Sequence, residues 1–202
     1  MTSTDQQPRT TRTRRLGTTD LALVAGFAAL VVVCAVLPAI NVTGIVPITL
    51  QTFGVLLAGA VLGPLRGFLA VLLYLALGLA GLPVFSGGAA GFGVLAGPTA
   101  GYLVGFPLAA ALTGYLVTRL PRGAAARNVP LVFLCGLVGS AVFIHTLGMA
   151  GLVLRADLTW GQAFDVDKVF WIGDVVKNVA MALVATAVHR AFPDLLHRRR
   201  AA

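Results

Sequence analysis

Charge is scarce in this chain. Only 11% of its 202 residues are Asp, Glu, Lys or Arg, where a soluble domain carries about 25%. That scarcity excludes an ordinary water-soluble fold. A hydrophobic share of 58% and a mean hydropathy of +0.92 point instead to a single-domain integral membrane protein, too short to hold a separate soluble module. Cysteine is nearly absent as well. Cys34 and Cys135 sit in apolar segments with no His or Cys partner beside them, and read as packing residues rather than a disulfide or a metal pair. No GxxxxGK[ST] phosphate loop occurs, so ATP hydrolysis by that route is excluded and active transport would need a partner. A short apolar leader is missing too: the first apolar run is a full-length span, and no cleaved signal peptide is expected.

The charge that remains is basic and concentrated. The net charge of +8 comes largely from Arg9, Arg12, Arg14 and Arg15 near the N-terminus and Arg198, Arg199 and Arg200 near the C-terminus. Such juxtamembrane clusters set topology and touch anionic headgroups, which argues against a nucleic-acid partner. Residues 1–19 and 193–202 are read as basic tails around a membrane domain, residues 20–192. Twenty-four glycines suit close approach of helix backbones in lipid.

Six apolar segments follow one another, against the roughly 20 residues a spanning helix needs. They run from Asp20 to Leu37, Ile48 to Leu62, Gly67 to Leu82, Thr99 to Thr118, Val129 to Leu154, and Val169 to Ala191. The fold class is therefore all-α, with six transmembrane helices. Placing the N-terminus in the cytoplasm puts twelve of the fifteen Lys and Arg residues inside and leaves Arg155 and Lys168 outside, an asymmetry that predicts both termini cytoplasmic. The first outer loop, with Asn41 and Thr43, is uncharged. The second outer loop, Pro83 to Gly93, is long, glycine-rich and also uncharged, and carries Phe85 and Phe92. Irregular apolar backbone is tolerated at a membrane only where protein buries it or a cavity lies beneath. It reads as an extracellular lid over a pocket.

The last segment carries Asp174 and Lys177 inside an apolar wall. Ionisable residues at membrane depth are costly and mark functional sites, and a spacing of three puts both on one helix face. Counted from Lys168 at 1.5 Å per residue, Asp174 lies about 9 Å and Lys177 about 13 Å deep, in the outer half of the bilayer. The pair offers a fixed acceptor beside a fixed donor, suited to a small polar ligand. Gln51, Tyr102, Phe85 and the Gly87-Gly88 backbone are candidate second contributors, with Phe92 in the same lid. Tyr102 could equally anchor at the interface, and Gln51 could bridge helices. An ion pair that only neutralises itself is the plain structural alternative. A hydrolase built on Ser86 and His145 would need the serine held rigidly with its base in reach. His145 reads better as a helix–helix hydrogen bond or a cavity wall. A stand-alone carrier or channel for another small solute or vitamin, with the pair as a relay, would favour inverted repeats, and none is apparent.

Several blocks carry a resemblance. Val46 to Gly59 (VPITLQTFGVLLAG), Gly81 to Phe85 (GLPVF) with the glycine-rich run behind it, Gly97 to Pro107 (GPTAGYLVGFP), and Gly173 to Lys177 (GDVVK) resemble, in order, the BioY family. The likeness covers about Asp20 to Ala191 and departs at Ala100, where many relatives have glycine. The resemblance implies a biotin-specific S component of an energy-coupling factor transporter in the bacterial plasma membrane. Such a protein carries no cofactor, performs no bond chemistry, and works with a membrane T component and two cytoplasmic ATPases. The stripe Ala22, Ala25, Gly26 and Ala29 resembles the small-residue face with which S components dock on their T component. Biotin's ureido N–H groups would fit Asp174, and its ureido carbonyl or carboxylate would fit Lys177.

Overall fold

The computed structural model describes residues 17–39, 44–121 and 123–196. The expectations for the arginines of both tails, Arg122, Asn41 and Thr43 lie outside these residues. Every regular element among the described residues is helical: α1 (Thr18–Val36), α2 (Gln51–Leu62), α3 (Pro64–Leu79), α4 (Ala100–Arg119), α5 (Val129–Gly139), α6 (Thr146–Arg155) and α7 (Trp160–Ala191). A π-helical stretch, Ser140–His145, joins α5 to α6, so that Val129–Arg155 runs on as one helix of 27 residues. Among the described residues, four helical stretches are long and apolar enough to cross a membrane: Thr18–Val36, Ala100–Arg119, Val129–Arg155 and Trp160–Ala191.

Each of the six apolar segments holds a helix, but two are short. The 12 residues of α2 reach about 18 Å and the 16 of α3 about 24 Å at 1.5 Å per residue, below the ~30 Å hydrocarbon thickness. Gly63 (φ 80°) ends α2, and Pro64 opens α3 directly, since its fixed φ suits a first helical turn. Almost every residue of α2 is buried, and it packs against α1, α3, α4 and α7. Glycine permits that crowding. A β-carbon on Gly59 would sit 2.9 Å from the Ala110 Cα, and one on Gly114 would sit 2.7 Å from the Gly59 carbonyl oxygen and the Pro64 nitrogen.

The last helix corrects the sequence expectation. It begins at Trp160, nine residues before Val169. Thr159 starts it through a capping box: its hydroxyl accepts from the Gln162 backbone N–H at 3.3 Å, and the Gln162 side chain accepts from the Thr159 N–H at 2.9 Å. Asp165 and Lys168 pair at 2.6 Å on an exposed face of this first part, while Asp167 faces inward with no exposure. Lys168 therefore does not mark an outer loop. Asp174 lies 14 residues into α7 and Lys177 lies 17, about 21 and 26 Å from its start along the axis.

One end of the bundle gathers basic residues. Arg66 bridges Asp20 at 3.1 Å, the Leu62 carbonyl at 3.0 Å and the Leu195 carbonyl at 2.6 Å. It thereby ties the start of α1, the α2–α3 corner and the segment after α7. Arg190 reaches the Ala126 carbonyl at 3.4 Å. The starts of α2 and α4 lie at the opposite end, where the cavity is found.

Candidate functional site

A cavity of about 210 Å³ opens among the start of α2, the segment after α3, the start of α4, the π stretch and the middle of α7. It is well above the roughly 10–15 Å³ that a single water needs. Its wall is mainly apolar, with Val46, Ile48, Leu103, Phe106, Ile144 and Phe170 among the lining residues. Five of the residues expected from sequence meet there: Asp174, Lys177, Tyr102, Gln51 and Phe85.

Phe85 is buried because Gly78 leaves room for its ring and Tyr74 meets it edge-on, with centroids 5.5 Å apart at 90°. Gly91 donates its N–H to the Gly78 carbonyl at 2.7 Å, folding the glycine-rich segment back on α3. Gly87 and Gly88 are not part of the cavity lining. Both are exposed, with φ of 69° and 77°, and their left-handed backbone turns the chain so that Ser86 and Ala89 line the cavity in their place. Phe92 also stays out, 72% exposed in the short 3₁₀ turn Phe92–Ala96.

The polar side chains at the cavity's depth form one continuous network. Lys177 pairs with Asp174 and donates to the Thr49 carbonyl at 3.0 Å. Thr52 donates to Asp174 Oδ1 at 3.0 Å. His145 Nε2 lies 3.3 Å from Asp174 Oδ2, and its Nδ1 lies 2.9 Å from Asp167 Oδ2. Tyr102 and Trp171 both donate to Asp167, at 2.9 and 3.1 Å. The Trp171 ring stacks on His145 with centroids 4.4 Å apart. Asp167, Asp174 and His145 are all buried. The expectation that His145 joins helices holds: it ties the π stretch to α7 at two points. A π turn inserts an extra residue and redirects side chains, and such turns are frequent at functional sites.

Counting donors and acceptors shows what the site still offers. A carboxylate has about four acceptor positions, and three of those on Asp174 are taken, by Thr52, Lys177 and His145. An ammonium has three N–H donors, and Lys177 uses two of them. Gln51 accepts from the Thr49 hydroxyl at 2.8 Å and donates to the Tyr74 hydroxyl at 2.7 Å, which keeps one N–H spare. The site thus retains an acceptor and a donor side by side in an apolar hollow, arranged to bind rather than to cut. Ser86 lines the same cavity, but His145, the base a hydrolase would need, has each ring nitrogen against a carboxylate.

Sequence reading missed Asp167, Thr52 and Trp171. Asp167 was hidden by its charged neighbours Asp165 and Lys168, which read as a loop. The available signal was helical spacing: Asp167 and Asp174 are seven residues apart, two turns on one face.

Comparison with known proteins agrees with this architecture. The sequence model of the BioY family matches residues 6–194. The chain is 43% identical over 183 residues to the biotin transporter BioY of Rhizobium etli, covering 89% of this chain and 98% of that one. It is 41% identical over 192 residues to the biotin transporter BioY of Rhodobacter capsulatus, again covering 89% and 98%. A solved S-component for biotin from an ECF-type ABC transporter superposes with a TM-score of 0.78 at 25% identity, covering 93% of this chain and 96% of that one. The chain belongs to the BioY family.

Proposed function

We propose that the chain binds biotin and takes it up across the bacterial plasma membrane, as the substrate-specific S component of an energy-coupling factor transporter. One observation carries this reading: the spare acceptor of Asp174 and the spare N–H of Lys177 lie together in a mainly apolar cavity. A cyclic urea presents N–H and C=O side by side and satisfies both. A ligand without them would leave buried polar groups unpaired, at a cost of about 1–3 kcal/mol each. The apolar wall suits the ring carbons and the aliphatic chain. The names of the relatives point to the same ligand.

In this reading six helical spans lie in the membrane, α5, the π stretch and α6 counting as one, with α2 and α3 reaching across as shorter members enclosed by the others. Both tails are cytoplasmic, and the arginine-rich end of the bundle, with Arg66 and Arg190, faces the cytoplasm. The cavity then opens outward, and the segment from Pro83 to Gly93 is its lid, with Phe85 as the wall beneath and Gly87, Gly88 and Phe92 as its outer part. Energy comes from a membrane T component and two ATPases, because this sequence has no phosphate loop. The T component docks on α1, where Ala22, Ala25, Gly26 and Ala29 are all exposed and leave room for another helix.

Thermal unfolding of the detergent-purified protein tests the ligand. Biotin at a hundred times its Kd should stabilise the folded state by about 2.7 kcal/mol and raise the midpoint, while thiamine should not. An unchanged midpoint at saturating biotin contradicts the reading.

A further inference from the structure

We infer that Asp167, which does not line the cavity, is a specificity-determining positioning residue: it takes the hydroxyl hydrogen of Tyr102 and thereby makes Tyr102 an acceptor toward the ligand. This deepens the biotin reading and rests on it. Tyr102 lines the cavity, yet its single hydrogen points the other way, to Asp167 Oδ1 at 2.9 Å. A phenol has one O–H to give. With that hydrogen committed, only oxygen lone pairs remain for a cavity ligand.

Asp167 can hold this role because the other donors around it are fixed. Trp171 Nε1 lies 3.1 Å from Oδ2, and His145 Nδ1 lies 2.9 Å from Oδ2 and 3.0 Å from Oδ1, which it shares with Tyr102; both N–H directions are set by rings stacked on each other. His145 then turns its second nitrogen to Asp174 at 3.3 Å. Each imidazole nitrogen faces a carboxylate, and only the imidazolium carries a donor on both. The charged groups that meet are Asp167, Asp174 and Lys177 from α7 and His145 from the π stretch, two of each sign in this form. Facing the cavity, the set presents an acceptor at Tyr102, an acceptor at Asp174 and a donor at Lys177. That pattern complements a ligand group with two N–H donors around one carbonyl.

The test compares biotin with the two cyclic carbamates in which one or the other ureido N–H is replaced by oxygen. Shape is kept, but one donor becomes an acceptor. The protein should prefer biotin over the carbamate whose oxygen faces Tyr102 by about tenfold to a hundredfold. In Asp167→Asn one acceptor oxygen must serve three donors, and the Tyr102 hydroxyl, alone able to rotate, swings free to donate. The preference should then fall at least several-fold, and Tyr102→Phe should lower it comparably. An Asp167→Asn protein that binds both ligands more weakly in the same ratio overturns the inference, as a purely structural role would give that result. Should Asp167→Asn not fold, ¹⁵N NMR of histidine-labelled wild-type protein decides, with the His145 signals assigned through His145→Gln. A hydrogen on Nδ1 supports the arrangement, and a bare Nδ1 overturns it, because Asp167 would then itself have to carry the hydrogen between them. Failure of wild-type protein to bind biotin at all would sink the biotin reading instead, and is seen separately.

Discussion

Lys177→Met is expected to raise the biotin Kd by roughly a hundredfold or more, measured by equilibrium binding to the purified protein. Truncating one partner of a buried, hydrogen-bonded charge pair costs about 2–5 kcal/mol, and each 1.4 kcal/mol is a factor of ten. Two effects combine here. The ligand's carbonyl loses its donor, and Asp174 loses the cation that shares its Oδ1 with Thr52. The double variant Asp174→Asn/Lys177→Met separates binding from structure. Replacing a buried pair by neutral groups of similar volume is often neutral or stabilising, so the double variant should unfold at least as late as Lys177→Met alone. It should nevertheless bind biotin no better. A double variant that regained wild-type affinity would mean that the pair only neutralises itself and that the ligand sits elsewhere.

The second large effect concerns folding. Gly59→Val should destabilise the protein by about 3 kcal/mol or more, the upper end of what overpacking costs. At Gly59 the added carbon lands 2.8 Å from the Ala110 carbonyl carbon, and the opposing Gly67 leaves it no slack, since a carbon there would be 2.7 Å from the Gly59 Cα. These are backbone atoms of α4 and α2, which cannot rotate away as a side chain would. The thermal midpoint in detergent should drop by many degrees, or monodisperse protein should be lost. Gly26→Val is the control, because nothing lies within 4 Å of a carbon added there. Its midpoint should match the wild type. Equal losses in both variants would show that any valine in place of glycine harms the chain, independent of the α2–α3–α4 crossing.

Much of this was legible in the chain because the bilayer imposes simple rules. Each apolar segment became a helix, and Gly63-Pro64 fell at the boundary between two of them, since proline suits a first helical turn. Asp174 and Lys177 could be paired from their spacing alone, which is a property of one helix. The small residues Ala22, Ala25, Gly26 and Ala29 could be placed on a common face for the same reason, and all are exposed.

What the chain hid was convergence between helices. Asp167 meets His145 across 22 positions and Tyr102 across 65, and no local pattern encodes those meetings. Asp167 was further concealed because a hydropathy window stops at Asp165 and Lys168, although those two face outward and pair. The π stretch that carries His145 is likewise invisible to periodicity, since its apolar residues continue α5 without a break. The glycines of the outer segment have a local task of their own. Gly87 and Gly88, outside the cavity lining, form the turn that presents Ser86 and Ala89 to it.

The most direct test is native mass spectrometry of the detergent-purified chain, released from micelles after incubation with biotin. One biotin per wild-type chain, lost in the folded Asp174→Asn/Lys177→Met variant, is the result expected if the cavity on α7 is the vitamin's site. Wild-type chains that carry no biotin, or variant chains that carry it undiminished, would contradict that assignment.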